Sequence, residues 1–195
     1  MAVAASLPRI HLLRHGETAW SLSGQHTSRT DVPLTAHGED QAGRLGARLR
    51  GINFTHVFTS PRLRAQRTCA LAGFTHTEVD DDLREWDYGD YEGLTTALIH
   101  LKQPVWNLFV DGAPGGESPS AVFARAGRCV RRLQSLEGDI AIFSHGHFLR
   151  VLAAAWVGFP VAHSQNLELS TASHGILSYE HNILKNPSIS LWNET

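Results

Sequence analysis

Short apolar runs alternate along this chain with stretches of helical periodicity, and that alternation constrains the fold more than any other feature of the sequence. A strand buried on both faces needs only a handful of consecutive apolar residues, whereas a helix covering it needs an apolar stripe repeating every three or four. Arg9–Leu13, His56–Thr59, about Thr77–Leu83 and Ile140–Phe143 read as strands. Between them, Thr35 can cap a helix whose Ala42, Leu45 and Leu49 share a face, and Ser60-Pro61 reads as N-cap and first residue of a helix running to about Leu71. Ser118-Pro119 repeats that start for a long helix carrying Val122, Ala126, Val130 and Leu133, and an apolar helix follows the Ile140–Phe143 strand to about Val157. Two further strand-like pieces, Gly175–Glu180 and Ile189–Trp192, close the chain. The pattern predicts an α/β fold with a mostly parallel central sheet. At 195 residues it suits one domain over 1–195, since soluble domains usually run to roughly 100–200 residues. Long loops are expected at 20–34 and 103–117, a length more often functional than idle.

Charge narrows the partners. Seventeen Lys and Arg against nineteen Asp and Glu leave a formal net charge of -2. That balance argues against a nucleic-acid surface or a polybasic membrane contact, so any anionic ligand must be met by a local cluster of cations. The opening Met1–Leu7 is apolar but short and lacks a basic start, unlike a signal peptide. No apolar run approaches the roughly 20 residues of a membrane span. Cys69 and Cys129 fall in helical stretches without metal or redox spacing, as expected of small buried residues in a reducing, cytoplasmic setting. No apolar stripe stands apart from the core pattern, so no oligomeric state follows.

Two strands deliver a histidine at their C-terminal ends, one in Arg14-His15-Gly16 and one in Ser144-His145-Gly146. Ligands of open parallel sheets bind at that edge, where the strand order reverses. If the two strands are neighbours, His15 and His145 face each other across one pocket. Ser60-Pro61-Arg62-Leu63-Arg64 follows a third strand and brings basic side chains to the same edge. Guanidinium forks and imidazoles converging on one point suit a dianion with several oxygens, and phosphate is the natural occupant. A histidine with one ring nitrogen held by a carbonyl and the other free can attack phosphorus. The leaving oxygen then needs a proton. Seven carboxylates between Asp80 and Glu92 are candidates, and spacing alone does not choose among them. Glu85 is attractive because Leu83, Trp86 and Tyr88 can shield it from water.

These residues resemble the histidine phosphatase superfamily, which includes cofactor-dependent phosphoglycerate mutase. Arg14-His15-Gly16-Glu17-Thr18 with Trp20 is similar to the family signature, Ser60–Thr68 to its second motif, Leu83–Gly89 with Tyr91-Glu92-Gly93 to its acid motif, and Ser144–His147 to its last. The resemblance implies a phosphoglycerate mutase-like three-layer α/β/α sandwich. It makes His15 the transiently phosphorylated nucleophile, Arg14 and Arg64 (rather than Arg62 or Arg67) the phosphate-gripping arginines, Glu85 the proton donor and His145 the second pocket histidine. Ser23–Thr27, Asp31–Thr35 and Trp86–Gly93 look most like a branch holding sedoheptulose bisphosphatase and small bacterial acid phosphatases. That likeness implies a small-molecule phosphate ester as partner, with sugar phosphates as plausible substrates and His26, Thr27, Tyr88, Arg150 and His181 lining the substrate side. Ser21 departs from the pattern, standing where many members carry asparagine.

Three competing readings have distinct signatures. Mutases of the family carry a further helical segment over the site that retains the phosphorylated intermediate, and residues 94 to 118 leave little room for one. His145-Gly146-His147 is a His-x-His pair of the kind metal hydrolases use, but it lacks partners at ligand spacing and has arginines nearby. The expectation is therefore no metal and no cofactor. A non-catalytic phospholigand-binding module would share the pocket but has no use for a nucleophile and an acid.

Overall fold

A computed structural model describes residues 7–195 of the chain, so most of the segment read above as no signal peptide, residues 1–6, lies outside it. Six strands form one sheet: β1 (Arg9–Arg14), β2 (Phe54–Thr59), β3 (Glu78–Val79), β4 (Asp139–Ser144), β5 (His174–Tyr179) and β6 (Pro187–Glu194), in the order β3-β2-β4-β1-β5-β6. The four on one side pair in parallel, while β5 and β6 run antiparallel to their neighbours. The helices are α1 (Ala19–Ser23), α2 (Ala36–Arg48), α3 (Leu63–Leu71), α4 (Thr96–His100), α5 (Leu108–Asp111), α6 (Pro119–Gln134) and α7 (Gly146–Trp156).

Period-two alternation in β1 and β4 builds two cores. Ile10, Leu12, Ile140 and Ile142 face Val122, Ala126 and Leu133 of α6 and Leu149 and Leu152 of α7. Leu13, Ala141 and Phe143 face Leu45 of α2, Leu49 just beyond it, and Cys69 of α3. Helices thus cover both faces, the three-layer arrangement expected. The connection after β1 leads to α2 on one face and that after β4 leads to α7 on the other, which opens a crevice between the C-terminal ends of these adjacent strands.

Several expected boundaries move. Thr35 and Ser118 cap as expected, each hydroxyl accepting from a first-turn N–H, and Pro119 opens α6. Ser60 does not cap: α3 begins only at Leu63, after Arg62 in extended conformation, and the Ser60 hydroxyl turns inward instead. The strand expected over 77–83 shrinks to Glu78–Val79, because Asp80 accepts from Asp82 N at 2.9 Å and bends the chain into a 3-10 turn over Asp81–Leu83. Loop 18–34 is closed at its base by a Thr18–Leu34 bridge and tied across to Thr95 by Gln25. The segment following the acidic run holds only α4 and α5, five and four residues long. No helix among the described residues is long and apolar enough to cross a membrane. Cys69 and Cys129 are free thiols in α3 and α6, and burial pushes each up to about 12.

Candidate active site

Adjacent parallel strands place the two histidines side by side. Arg14 pairs in register with Ser144, so His15 and His145 are the residues that follow the neighbouring strands β1 and β4, and their rings meet edge to face with centroids 5.2 Å apart. The turn after β1 is clamped from outside the sheet. Gly16 N donates to Thr68 Oγ1 of α3 at 3.0 Å and Glu17 N to Gln41 Oε1 of α2 at 2.9 Å. Gly16 and Gly38 are needed because the backbones touch: a Cβ on Gly16 would lie 2.4 Å from Gly38 O, and one on Gly38 would lie 2.1 Å from Glu17 O.

The His15 ring is buried and its tautomer follows from one bond. Nδ1 lies 2.7 Å from Gly16 O, which can only accept, so Nδ1 carries the hydrogen and Nε2 keeps its lone pair. Burial first, and then the Arg64 and Arg14 guanidiniums, push His15 well below the usual histidine range, so the ring is neutral near pH 7. His145 is pushed down in the same way. Its Nε2 is 2.7 Å from Ser60 Oγ, and that oxygen also accepts from Arg62 N at 3.3 Å. With the Ser60 proton directed to His145 Nε2, the Nδ1–H of His145 is left as a donor.

Arg14 donates to Leu169 O, while Arg64, 1% exposed, donates to Thr27 O at 3.0 Å and Thr30 O at 3.1 Å. Arg14 Nε, Arg64 Nε and His145 Nδ1 are buried without a hydrogen-bond partner among the described residues. Each such group costs about 1–3 kcal/mol if left unpaired. Three of them around His15 make a site suited to an acceptor-rich anion. Glu85 stands opposite, its carboxylate accepting from Trp86 N at 2.8 Å, His147 N at 3.1 Å and Phe148 N at 2.8 Å. It thereby occupies the otherwise unsatisfied N–H groups at the start of α7, whose residue before the helix offers no side-chain cap.

A cavity of about 240 Å³ opens over this floor, lined by Arg14, His15, Glu85, His26, Thr27, Tyr88 and Arg150 among others. Arg64 and His145 lie buried beside it rather than on its open wall. His181 is not there: its side chain is 78% exposed in the turn between β5 and β6. Because β5 runs antiparallel to β1, its end at Tyr179 points away from the crevice, and it is the segment entering β5, through Leu169, that reaches the cavity. His147, read above as a half of a His-x-His pair, lines the cavity too, with Nδ1 2.5 Å from the Tyr88 hydroxyl. Burial pushes His147 well below its usual range and His26 down to about 4, so both walls are neutral, and Arg150 is fixed by Ser164 O at 3.0 Å and Gln165 O at 2.8 Å. Thr18, Ser21, Gln25 and Thr96 also line the cavity, none of them singled out by sequence for that place. The signal for His147 was present: with a helix starting directly after His145, positions 147 and 150 share its first exposed face.

The family model for the histidine phosphatase superfamily (branch 1) matches residues 10–195. An acid phosphatase of Mycobacterium tuberculosis is 44% identical over 179 residues, covering 90% of this chain and 88% of its own. Sedoheptulose 1,7-bisphosphatase of Saccharomyces cerevisiae is 43% identical over 187 residues, covering 79% of this chain and 69% of its own. Among solved structures, that of an open reading frame product of Mycobacterium tuberculosis superposes with a TM-score of 0.91 at 41% identity, covering 96% of this chain and 97% of that one. A mycobacterial glucosyl-3-phosphoglycerate phosphatase with VO3 superposes with a TM-score of 0.85 at 29% identity, covering 96% and 99%.

Proposed function

The chain belongs to the histidine phosphatase superfamily (branch 1) and is a phosphoric monoester hydrolase, and we propose that it works as a single domain through a covalent phosphohistidine at His15 with Glu85 as general acid. The observation that carries this reading is the Nδ1 contact of His15 with Gly16 O at 2.7 Å, which leaves a neutral imidazole with Nε2 free at the cavity floor. Nε2 attacks phosphorus, the bond from phosphorus to the ester oxygen breaks, and the Glu85 carboxyl gives its proton to that oxygen. Arg14, Arg64 and His145 Nδ1–H hold the three equatorial oxygens of the transferring group, where each well-placed donor supplies about 3–4 kcal/mol. Water then attacks the phosphohistidine, returns a proton to Glu85, and releases inorganic phosphate and free His15.

Hydrolysis is favoured over return of the phosphoryl group to a product, since α4 and α5 together hold only nine residues and leave water a way in. Sugar monophosphates and bisphosphates are the substrates we propose, supported by the name of the 43%-identical sedoheptulose bisphosphatase and by neutral walls of His26, Tyr88 and His147 with Thr27 beside them. Arg150 then lies on the side of the departing alcohol. The free buried thiols support a cytoplasmic setting, and the net charge of -2 gives nucleic acid no footing.

The reading is tested by quenching turnover of a sugar bisphosphate in base. The wild-type chain should carry an acid-labile, base-stable phosphoryl group, and His15→Ala should carry none and release no phosphate. Turnover in His15→Ala would end the proposal, and exchange of phosphate between phosphoglycerates without release would replace hydrolysis with transfer.

A further inference from the structure

Beyond the residues that line the cavity, one buried ion pair lies behind the acid. Arg125 of α6 is 1% exposed, and all five of its guanidinium N–H donors are used. Nε and Nη2 grip the Glu117 carboxylate at 2.9 and 2.6 Å. The remaining bonds go to main-chain oxygens of the loop that carries the acid, at 2.9 Å to Asp82, 2.7 Å to Arg84 and 3.3 Å to Glu85. Glu117 completes the bracket from the other side, since its carboxylate accepts from Asp87 N at 3.0 Å and its main-chain oxygen from Trp86 Nε1 at 2.9 Å. Asp82, Arg84 and Glu85 are thus held by the cation, Asp87 by the anion and Trp86 by the main chain of Glu117, with Glu85 at the join.

The same guanidinium also reaches the other support of the acid. It lies 4.4 Å above the ring of Phe148, whose backbone N–H is one of the three donors fixing the Glu85 carboxylate. With every donor occupied, Arg125 has none left for a ligand. We propose that the Arg125–Glu117 pair is a positioning device for Glu85, setting the distance of its carboxyl from the phosphoester oxygen without touching substrate. This rests on Glu85 being the general acid. Lysine cannot take the place of the arginine, because one ammonium does not span three carbonyls and both oxygens of a carboxylate.

A role confined to Glu85 makes a specific kinetic prediction. A good leaving group such as 4-nitrophenolate departs without a proton, whereas an alkoxide needs one. Arg125→Lys and Glu117→Gln should therefore lower kcat/KM for alkyl phosphates by about 10–100-fold, the scale of a displacement near 1 Å. The same variants should change kcat/KM for 4-nitrophenyl phosphate by less than about threefold, since that parameter reports only the phosphorylation step, where proton donation is idle. In the Glu85→Gln background the added Arg125→Lys change should have no further effect on alkyl substrates.

Equal losses on both leaving groups, or a further loss in the Glu85→Gln background, would mean that the pair merely supports the fold, and would overturn the proposal. Glu117→Gln keeps the size of the side chain but puts an amide nitrogen that cannot accept in place of one oxygen of the bracket, so it carries the test if Arg125→Lys does not fold. A leaving-group profile in Glu85→Gln as shallow as that of the wild type would remove the acid assignment itself, and the positioning role with it. The two failures are therefore separately visible.

Discussion

Glycine at position 38 is a cost to its helix, and replacing it tests how tightly the turn carrying His15 is built. Gly38 lies in the first turn of α2, where alanine would ordinarily gain up to about 1 kcal/mol. Its Cβ would meet Glu17 O at 2.1 Å and Glu17 N at 2.8 Å, against ordinary contacts beginning at 3.4 Å. Both obstacles are backbone, so α2 and the 15–17 turn must separate by more than 1 Å. Overpacking costs about 1–3 kcal/mol, and rigid backbone obstacles put this case at about 2–3 kcal/mol, so Gly38→Ala should lose about 1–2 kcal/mol after a helical gain of about 1 kcal/mol is set against it. For a chain of this length, that lowers Tm by roughly 2–8 °C. Displacing the turn also carries His15 with it, so kcat should fall by about 100-fold. Gly43 supplies the internal control, because a Cβ there has nothing within 4 Å. Gly43→Ala, in the same helix, should raise stability by about 0.5–1 kcal/mol and leave kcat alone. Calorimetry and steady-state turnover on the two variants decide the matter. A Gly38→Ala enzyme with unchanged Tm and kcat would refute the claim that contact between these backbones sets the position of His15.

Two further outcomes follow from the polar network. His26 is pushed by burial to about 4 against a usual 6.5, and His15, His145 and His147 are also lowered, so the unfolded chain takes up protons at a pH where the folded one does not. Stability is therefore complete above about 6.5 and lost as pH falls toward 4; urea midpoints that stay constant from pH 7 to 4.5 would contradict this. Ser60→Ala removes the partner 2.7 Å from His145 Nε2, which should cut kcat by about tenfold with a smaller change in KM, and an unaltered kcat would show that the ring is oriented by packing alone.

What could be read from the sequence was whatever local periodicity and strand-ending motifs encode. β1 and β4 were visible as apolar runs, and the histidines at their ends were recognisable because each run stops at a polar turn. Their adjacency was not visible, since it depends on pairing between residues 130 apart in the chain. Ser60 misled because Ser-Pro is a good helix start in isolation; only the tertiary position of His145 gives its hydroxyl a better partner. The carboxylate of Glu85 could be proposed but not distinguished by spacing from its six neighbours, whereas in the fold it alone meets the start of α7. Resemblance implies His181, but the direction of β5 places it at the opposite edge of the sheet. Arg125 gave no signal at all, because a single arginine on an amphipathic helix normally points to water.

The pairing of Arg14 with Ser144 makes the central sheet a ruler for the chemistry. The two rings sit 5.2 Å apart, close to the roughly 4.8 Å by which hydrogen bonding spaces any two strands, so this dimension cannot drift without unzipping the domain. Part of the wall lies outside this spacing, since His26 and Thr27 are carried by loop 18–34, Thr96 by α4 and Leu169 by the segment before β5, whereas His147 and Arg150 stand on α7. Mutation can therefore reshape what the cavity admits while the distance between the histidines stays fixed, and a new substrate preference need not begin with a loss of reactivity.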